Sequence, residues 1–264
     1  MLHTDFHIWD AVLLVVVSLQ ATAIAYVPSP QWKAFIYTLP FPFFAASLAV
    51  GRPIDASNLW ALALLLAYTQ GVRWLHAERK LPIVVTILVC TLAYCIIGLA
   101  MTRVLDTLHI LSSDWLFWVS FVLVLLAGFF AVRAMPPRDE PSLRTPLPIW
   151  VKLPLTVLIV LTLILLKKQL GAFTTMFPMV GVLAAYESRR SLWTMSRRVS
   201  LFMFALGPMI AACRFAQSFL HWPLTMALVL GVLVYLPILI ALTPSFHSSV
   251  LQVFGYRAQA EEQI

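Results

Sequence analysis

Nine times along the chain the sequence runs apolar for roughly twenty residues before a basic or proline-bearing stretch interrupts it. Twenty apolar residues in a helix are about as long as the hydrocarbon layer is thick. Inside that layer only a helix or a closed barrel satisfies every backbone group. The runs cover 8–27, 33–50, 57–76, 81–102, 115–134, 148–166, 170–187, 199–220 and 222–243. Most are apolar all round, as expected of lipid-embedded helices. Of the 264 residues 61% are hydrophobic and 11% charged, against about 45–50% and about 25% in soluble domains. That balance excludes a water-soluble globule and a disordered chain, and predicts an all-α polytopic membrane protein of about nine transmembrane helices.

The basic residues have a side. With the N-terminus on face A, the loops of that face hold Arg52, Arg103, Lys167 and Lys168, and those of face B hold twelve Lys and Arg. Cytoplasmic loops carry the basic excess. The expectation is therefore face B in the cytoplasm of a multi-pass cell (inner) membrane protein, with the N-terminus outside and the C-terminus inside. This placement explains the net charge of +7 without nucleic acid. The leader Met1–His7 has no Lys or Arg, so the first run reads as a span and not as a cleavable signal. Cys90, Cys95 and Cys213 lie in apolar runs with no CxxC and no zinc spacing, so no metal or other cofactor is expected.

A shift of 141 residues superposes Ile8-Trp9 on Ile149-Trp150, Arg73-Trp74 on Arg214-Phe215, Pro82 on Pro223 and Tyr94 on Tyr235. Within the second helix of each block the best shift is 138, which sets Ala34-Phe35 on Ala172-Phe173 and Pro40 on Pro178. The reading is two four-helix repeats, 1–104 and 146–243, joined by a linker helix and loop over 105–145, with an interfacial tail over 244–264. Five spans separate equivalent points, so the second repeat enters from the opposite face. Inverted repeats of this kind are common in secondary transporters.

The segment Lys152–Ala241 resembles the short four-helix GlpM-type inner-membrane proteins. The likeness is carried by Gly171, Phe177-Pro178, Tyr186 and Arg189-Arg190. The first block departs from it, with Leu39-Pro40 in place of Phe-Pro and no Tyr-Glu ending the helix. The resemblance implies a shared fold unit and a link to exopolysaccharide production, without a defined molecular activity.

Two sets of residues are candidate substrate contacts. Tyr37, Thr38 and Pro40, with Thr175 and Pro178, sit in short runs whose prolines remove a backbone hydrogen bond and free a carbonyl. Paired, proline-interrupted runs in matching positions point to a transporter site. Arg73 and His76, with Arg214 and Gln217, form polar stripes inside spans, where an ionisable residue is a functional hypothesis by default. Guanidinium binds phosphate or carboxylate bidentately. Asp10 and Glu187, at helix ends, are weaker candidates for ion coupling.

HExxH, GxSxG, P-loop and GxGxxG patterns are absent from the sequence, so no enzyme is expected. An intramembrane enzyme using His76 or His221 ranks last. The leading expectation is a carrier or flippase of a small or lipid-linked anionic substrate, with membrane lipids as its other partners. The alternative is a non-catalytic subunit or scaffold of an envelope or exopolysaccharide assembly, docking a protein through loops 133–152 and 186–198.

Overall fold

The structure is a computed structural model that describes residues 7–27, 29–108, 113–138, 140 and 149–242. Among these residues every regular element is helical. In chain order they are α1 (Ile8–Tyr26), α2 (Pro30–Thr38), α3 (Phe41–Val50), α4 (Ala56–Arg73), α5 (Ile83–Leu108), α6 (Asp114–Arg133), α7 (Ile149–Leu170), α8 (Met179–Glu187), α9 (Leu192–Phe219) and α10 (Leu224–Ala241). A π-helical turn, Trp74–Glu78, follows α4, and a 3₁₀ turn, Gly171–Met176, joins α7 to α8. Among the described residues six segments are long and apolar enough to cross a membrane: α1, the α2–α3 pair, α5, α6, α9 and α10. The chain is an all-α polytopic membrane protein.

Local chemistry sets the ends of these elements. Asp10 accepts a hydrogen bond from the His7 backbone at 2.9 Å and closes the start of α1. Asp55 caps α4 by accepting from Ser57 N at 2.9 Å, while Asn58 Oδ1 accepts from Asp55 N at 3.0 Å. Gly51 ends α3 in the left-handed region, at φ +67°, where glycine carries no side-chain penalty.

Both runs singled out for their prolines are broken there. Leu39 (φ −65°, ψ 133°) separates α2 from α3, and Phe177 (φ −57°, ψ 136°) separates the 3₁₀ turn from α8. The residue before a proline is driven out of the helical region, so each break falls one position before Pro40 or Pro178.

Other boundaries differ from those expected. α9 begins at Leu192 instead of 199, because hydropathy marks where lipid ends and not where a helix ends. The stretch Leu192–Ser200 holds no Gly or Pro, and the helix runs on through Arg197 and Arg198. The end of the run at 57–76 is wound as a π turn. The tail over 244–264 lies outside the described residues.

The core lies where α1, α3, α4, the 3₁₀ turn and α9 meet, around Leu62, Phe173 and Met209. Much of α5, α6 and α10 presents large apolar side chains outward, including Leu92, Phe130 and Ile240, as a lipid-facing surface does. Two helix hairpins pack through small residues. A Cβ on Gly71 would lie 3.3 Å from Cys90 Sγ, and one on Gly231 would lie 2.5 Å from Cys213 Sγ.

The two hairpin turns also match. Lys80 and His221, which are 141 positions apart, are the positive-φ non-glycine residues among those described, at 60° and 53°. Leu81 N donates to Leu75 O and Trp222 N to Ala216 O, both at 3.1 Å. Thr86 N donates to Pro82 O and Ala227 N to Pro223 O, both at 3.0 Å.

Candidate functional site

The two broken helices lie against each other. Tyr37, Leu39 and Pro40 face Thr175, Phe177 and Pro178 across a cavity of about 50 Å³. That is room for a water or two and for nothing larger. Four of the candidates from the sequence, Tyr37, Pro40, Thr175 and Pro178, thus line one cavity. Thr38 does not line it. Its hydroxyl turns back to Phe35 O at 2.8 Å.

Neighbouring helices satisfy the carbonyls that the breaks release. Gln20 Nε2 on α1 donates to Ile36 O at 2.6 Å and to Leu39 O at 3.3 Å, holding the frayed end of α2. Tyr235 Oη on α10 donates to Thr38 O at 2.6 Å. Tyr94 Oη on α5 donates to Phe173 O at 3.0 Å, and its ring meets Phe177 edge-on at 5.4 Å. Tyr94 and Tyr235 are equivalent under the 141-residue shift, and each bonds the broken segment of the opposite block. Asn58 Nδ2 on α4 reaches Thr175 Oγ1 at 3.1 Å. Of these four supporting residues, Tyr94, Tyr235 and Asn58 were not among the sequence's site candidates, while Gln20 reads from the sequence as a polar residue that lines a cavity or bonds a neighbouring helix, and here it does the second. The shift had paired the tyrosines, but no pattern in the chain states that they cross over.

Where the runs paired by the sequence shifts touch, the start of one meets the end of the other. Near the start of α1, Asp10 meets Lys167 near the end of α7, its oxygens 2.7 and 2.6 Å from Lys167 Nζ. On α2, Lys33 Nζ donates to the carbonyl of Glu187, the last residue of α8, at 3.2 Å. Ser196 Oγ, early in α9, donates to Thr69 O late in α4 at 3.2 Å, and Gln217 Oε1, late in α9, accepts from Ile54 N at 2.9 Å.

Both contacts are buried, with Asp10 at 0%, Lys167 at 6%, Lys33 at 3% and Glu187 at 1% exposure. They sit at opposite ends of the bundle, and each joins one half of the chain to the other. Asp10 takes part through its carboxylate and Glu187 through its backbone carbonyl. The sequence treated Lys167 and Lys33 only as loop charges, since nothing local ties them to acids 157 and 154 positions away.

Arg73 and Arg214 lie apart from the crossing, one towards each end. Arg73 pairs with Glu78 at 3.0 Å, donates to Gln70 Oε1 at 3.1 Å and sits 5.2 Å from the Trp193 ring. Arg214 pairs with Asp114 at 2.7 Å and donates to Ile54 O at 3.2 Å. His76 Nδ1 lies 2.8 Å from Leu81 O within the hairpin turn. Gln217 and Arg214 together hold the backbone at Ile54. The expected polar stripes therefore brace turns and faces, and neither lines the cavity at the crossing. Nearby, burial raises the Asp55 carboxyl above its ordinary range, against the opposing pull of Ser57, Arg52 and Arg214.

The two loops proposed as docking surfaces pack on each other. Trp193 Nε1 donates to Pro136 O at 2.8 Å and Arg197 Nε to Met135 O at 2.8 Å. Thr194 N donates to Glu140 Oε2 at 2.8 Å, and Arg138 stacks 3.7 Å above the Trp193 ring. Residues 141–148 lie outside the described residues.

A second, larger cavity of about 650 Å³ opens at the end of the bundle that holds the start of α1, between His7, Trp9, Arg52, Lys167 and Gly171. Among the described residues no group of His, Cys, Asp and Glu is placed to hold a metal ion. Comparison with protein families, curated proteins and solved structures finds no match to this chain.

Proposed function

We propose that this protein is a membrane carrier of a small or lipid-linked anionic substrate, built from two inverted four-helix repeats, without enzymatic activity. The observation that carries the reading is the crossing of the proline-broken helices. Leu39-Pro40 and Phe177-Pro178 occupy positions related by the 138-residue shift, carry the same break and line one cavity. Equivalent segments meet antiparallel, as a twofold axis in the membrane plane requires. The matching hairpin turns and crossed tyrosine bonds support the duplication. Unwound backbone at membrane depth is tolerated where it lines a cavity, and a broken helix presents its ends to a substrate there.

In this reading the two blocks rock about the crossing. The buried Asp10–Lys167 and Lys33–Glu187 contacts are remade in alternation, one at each end. The narrow centre and the wide cavity beside α1 then belong to a state open towards the N-terminal face. The basic excess on face B places that face in the cytoplasm of the inner membrane. The GlpM-like second block would be one of the two repeats.

The test is transfer across a membrane. Purified protein is reconstituted into vesicles and assayed with radiolabelled inorganic phosphate, with citrate and with a fluorescent phosphatidylglycerol. The carrier reading expects at least one to cross faster than in protein-free vesicles. It also expects Pro40→Ala with Pro178→Ala, which restores continuous helices, to slow that transfer at least tenfold. No transfer of any of the three refutes it. A stoichiometric protein partner in such an inactive preparation would favour the scaffold reading.

A further inference from the structure

The large cavity at the N-terminal face lies outside both sets of substrate candidates drawn from the sequence. We propose that it is the docking site for a phosphate or carboxylate oxyanion, held by Arg52 and Lys167, with the Asp10 carboxylate as an internal competitor for Lys167. This deepens the carrier reading above and rests on it for the anionic class of substrate.

The site is built from the chain upward. Among the described residues Gly51 and Gly171 are the two glycines with positive φ, at 67° and 54°, and both line the cavity. One turns the chain out of α3 into Arg52. The other ends α7 three to four positions after Lys167 and starts the 3₁₀ turn that leads to the broken helix. A Cβ on Gly171 would lie 2.9 Å from Arg52 Nη1, so the guanidinium rests across the bare backbone of that hinge. The Arg52 side chain is exposed to the cavity and Lys167 is nearly buried in its floor. A volume of about 650 Å³ suits a small organic anion or a lipid headgroup. Arginine gives a planar fork for such an oxyanion, and lysine a point charge.

The competitor is already in place. Both Asp10 oxygens lie within 2.7 Å of Lys167 Nζ, and Asp10 is fully buried behind the cavity wall. While Asp10 is ionised it neutralises Lys167, and an arriving anion meets one cation fewer. Asp10→Asn removes that charge and leaves the ammonium to the cavity.

The charged groups around Asp10 are His7 on its own element, Lys167 on α7 and Arg52 after α3. Lys33 on α2 and Glu187 on α8 lie at the far end of the bundle. His7 also lines the cavity. The 3₁₀ turn links the site to the crossing directly. Arg52 closing on a ligand over Gly171 pulls on the segment that carries Thr175 and Phe177.

The test is calorimetric titration of the full-length protein in dodecyl maltoside with three probes: inorganic phosphate, phosphatidylglycerol, and diacylglycerol as the control without a phosphate. The proposal expects saturable binding of phosphate, of phosphatidylglycerol or of both, and the pattern shows whether the anion is free or lipid-borne. It expects Arg52→Gln to weaken binding about tenfold, the loss of one charged hydrogen bond. It expects Asp10→Asn to tighten binding.

Three outcomes overturn it: no binding of either anion, Arg52→Gln equal to wild type, or Asp10→Asn binding no tighter than wild type. If Asp10→Asn does not fold, Arg52→Gln decides, since Arg52 lies outside the buried pair. Binding without transmembrane transfer leaves this site standing and removes the carrier. Transfer unchanged in Arg52→Gln removes the site and leaves the carrier.

Discussion

The buried pair of Asp10 and Lys167 sets the sharpest energetic expectation. Lys167→Met removes a cation whose Nζ touches both oxygens of a carboxylate at 0% exposure. The chain around it holds α1 against α7, and Asp10 itself has no exposed surface. Removing one partner of a buried ion pair costs about 3–5 kcal/mol, mostly for the uncompensated ion. Replacing both partners by apolar groups of similar volume is often neutral. Lys167→Met should therefore destabilise the protein by about 3–5 kcal/mol, and Asp10→Leu with Lys167→Met should restore most of that loss.

The assay is unfolding in mixed dodecyl maltoside–SDS micelles, followed by far-ultraviolet circular dichroism, for wild type, both single variants and the double. The double-variant cycle isolates the pair. A Lys167→Met cost below about 1 kcal/mol would refute the reasoning, because the pair would then be no better isolated than a surface one. A double variant that loses the sum of the two singles would refute it as well.

The other expectations concern packing, the crossing and the faces. Gly231→Ala puts a methyl 2.5 Å from Cys213 Sγ, so it should cost about 1–3 kcal/mol by overpacking in the same unfolding assay, and adding Cys213→Ala should recover most of it. Tyr235→Phe strands Thr38 O, bonded at 2.6 Å, and should cost about 1–2 kcal/mol, with Tyr94→Phe similar through Phe173 O. A gap between these two variants of more than about 2 kcal/mol would break the equivalence of the blocks. Arg73→Gln should cost under about 1 kcal/mol because its partner Glu78 is half exposed, at 51%. Asp55→Asn should keep the α4 cap that Asp55→Ala loses at a cost of about 1 kcal/mol, read as the difference in their melting temperatures.

What the sequence determined by itself was everything that depends on local composition and period. Nine apolar runs, too apolar for water and too long for loops, required helices in lipid, and each coincides with a helical segment or a pair of them. Pro40 and Pro178 stated where two helices break, because a proline acts on the residue just before it. The 141- and 138-residue shifts singled out Tyr94 with Tyr235 and the two prolines. Tyr37, Pro40, Thr175 and Pro178 were legible as residues of one cavity for the same reason.

Tertiary structure alone decided which charge answers which. Lys167 could not be read as the partner of Asp10, because contacts across 157 residues depend on how α1 and α7 cross and leave no period in the chain. The same geometry sent Arg73 to Glu78 and Arg214 to Asp114, since a long cationic side chain near a helix end reaches the nearest carboxylate at its own face. It also gathered Arg52, Lys167 and Gly171 around one cavity. Hydrophobic periodicity says that a helix is buried; the position of an ion inside a bundle follows from packing, which is a property of the whole chain.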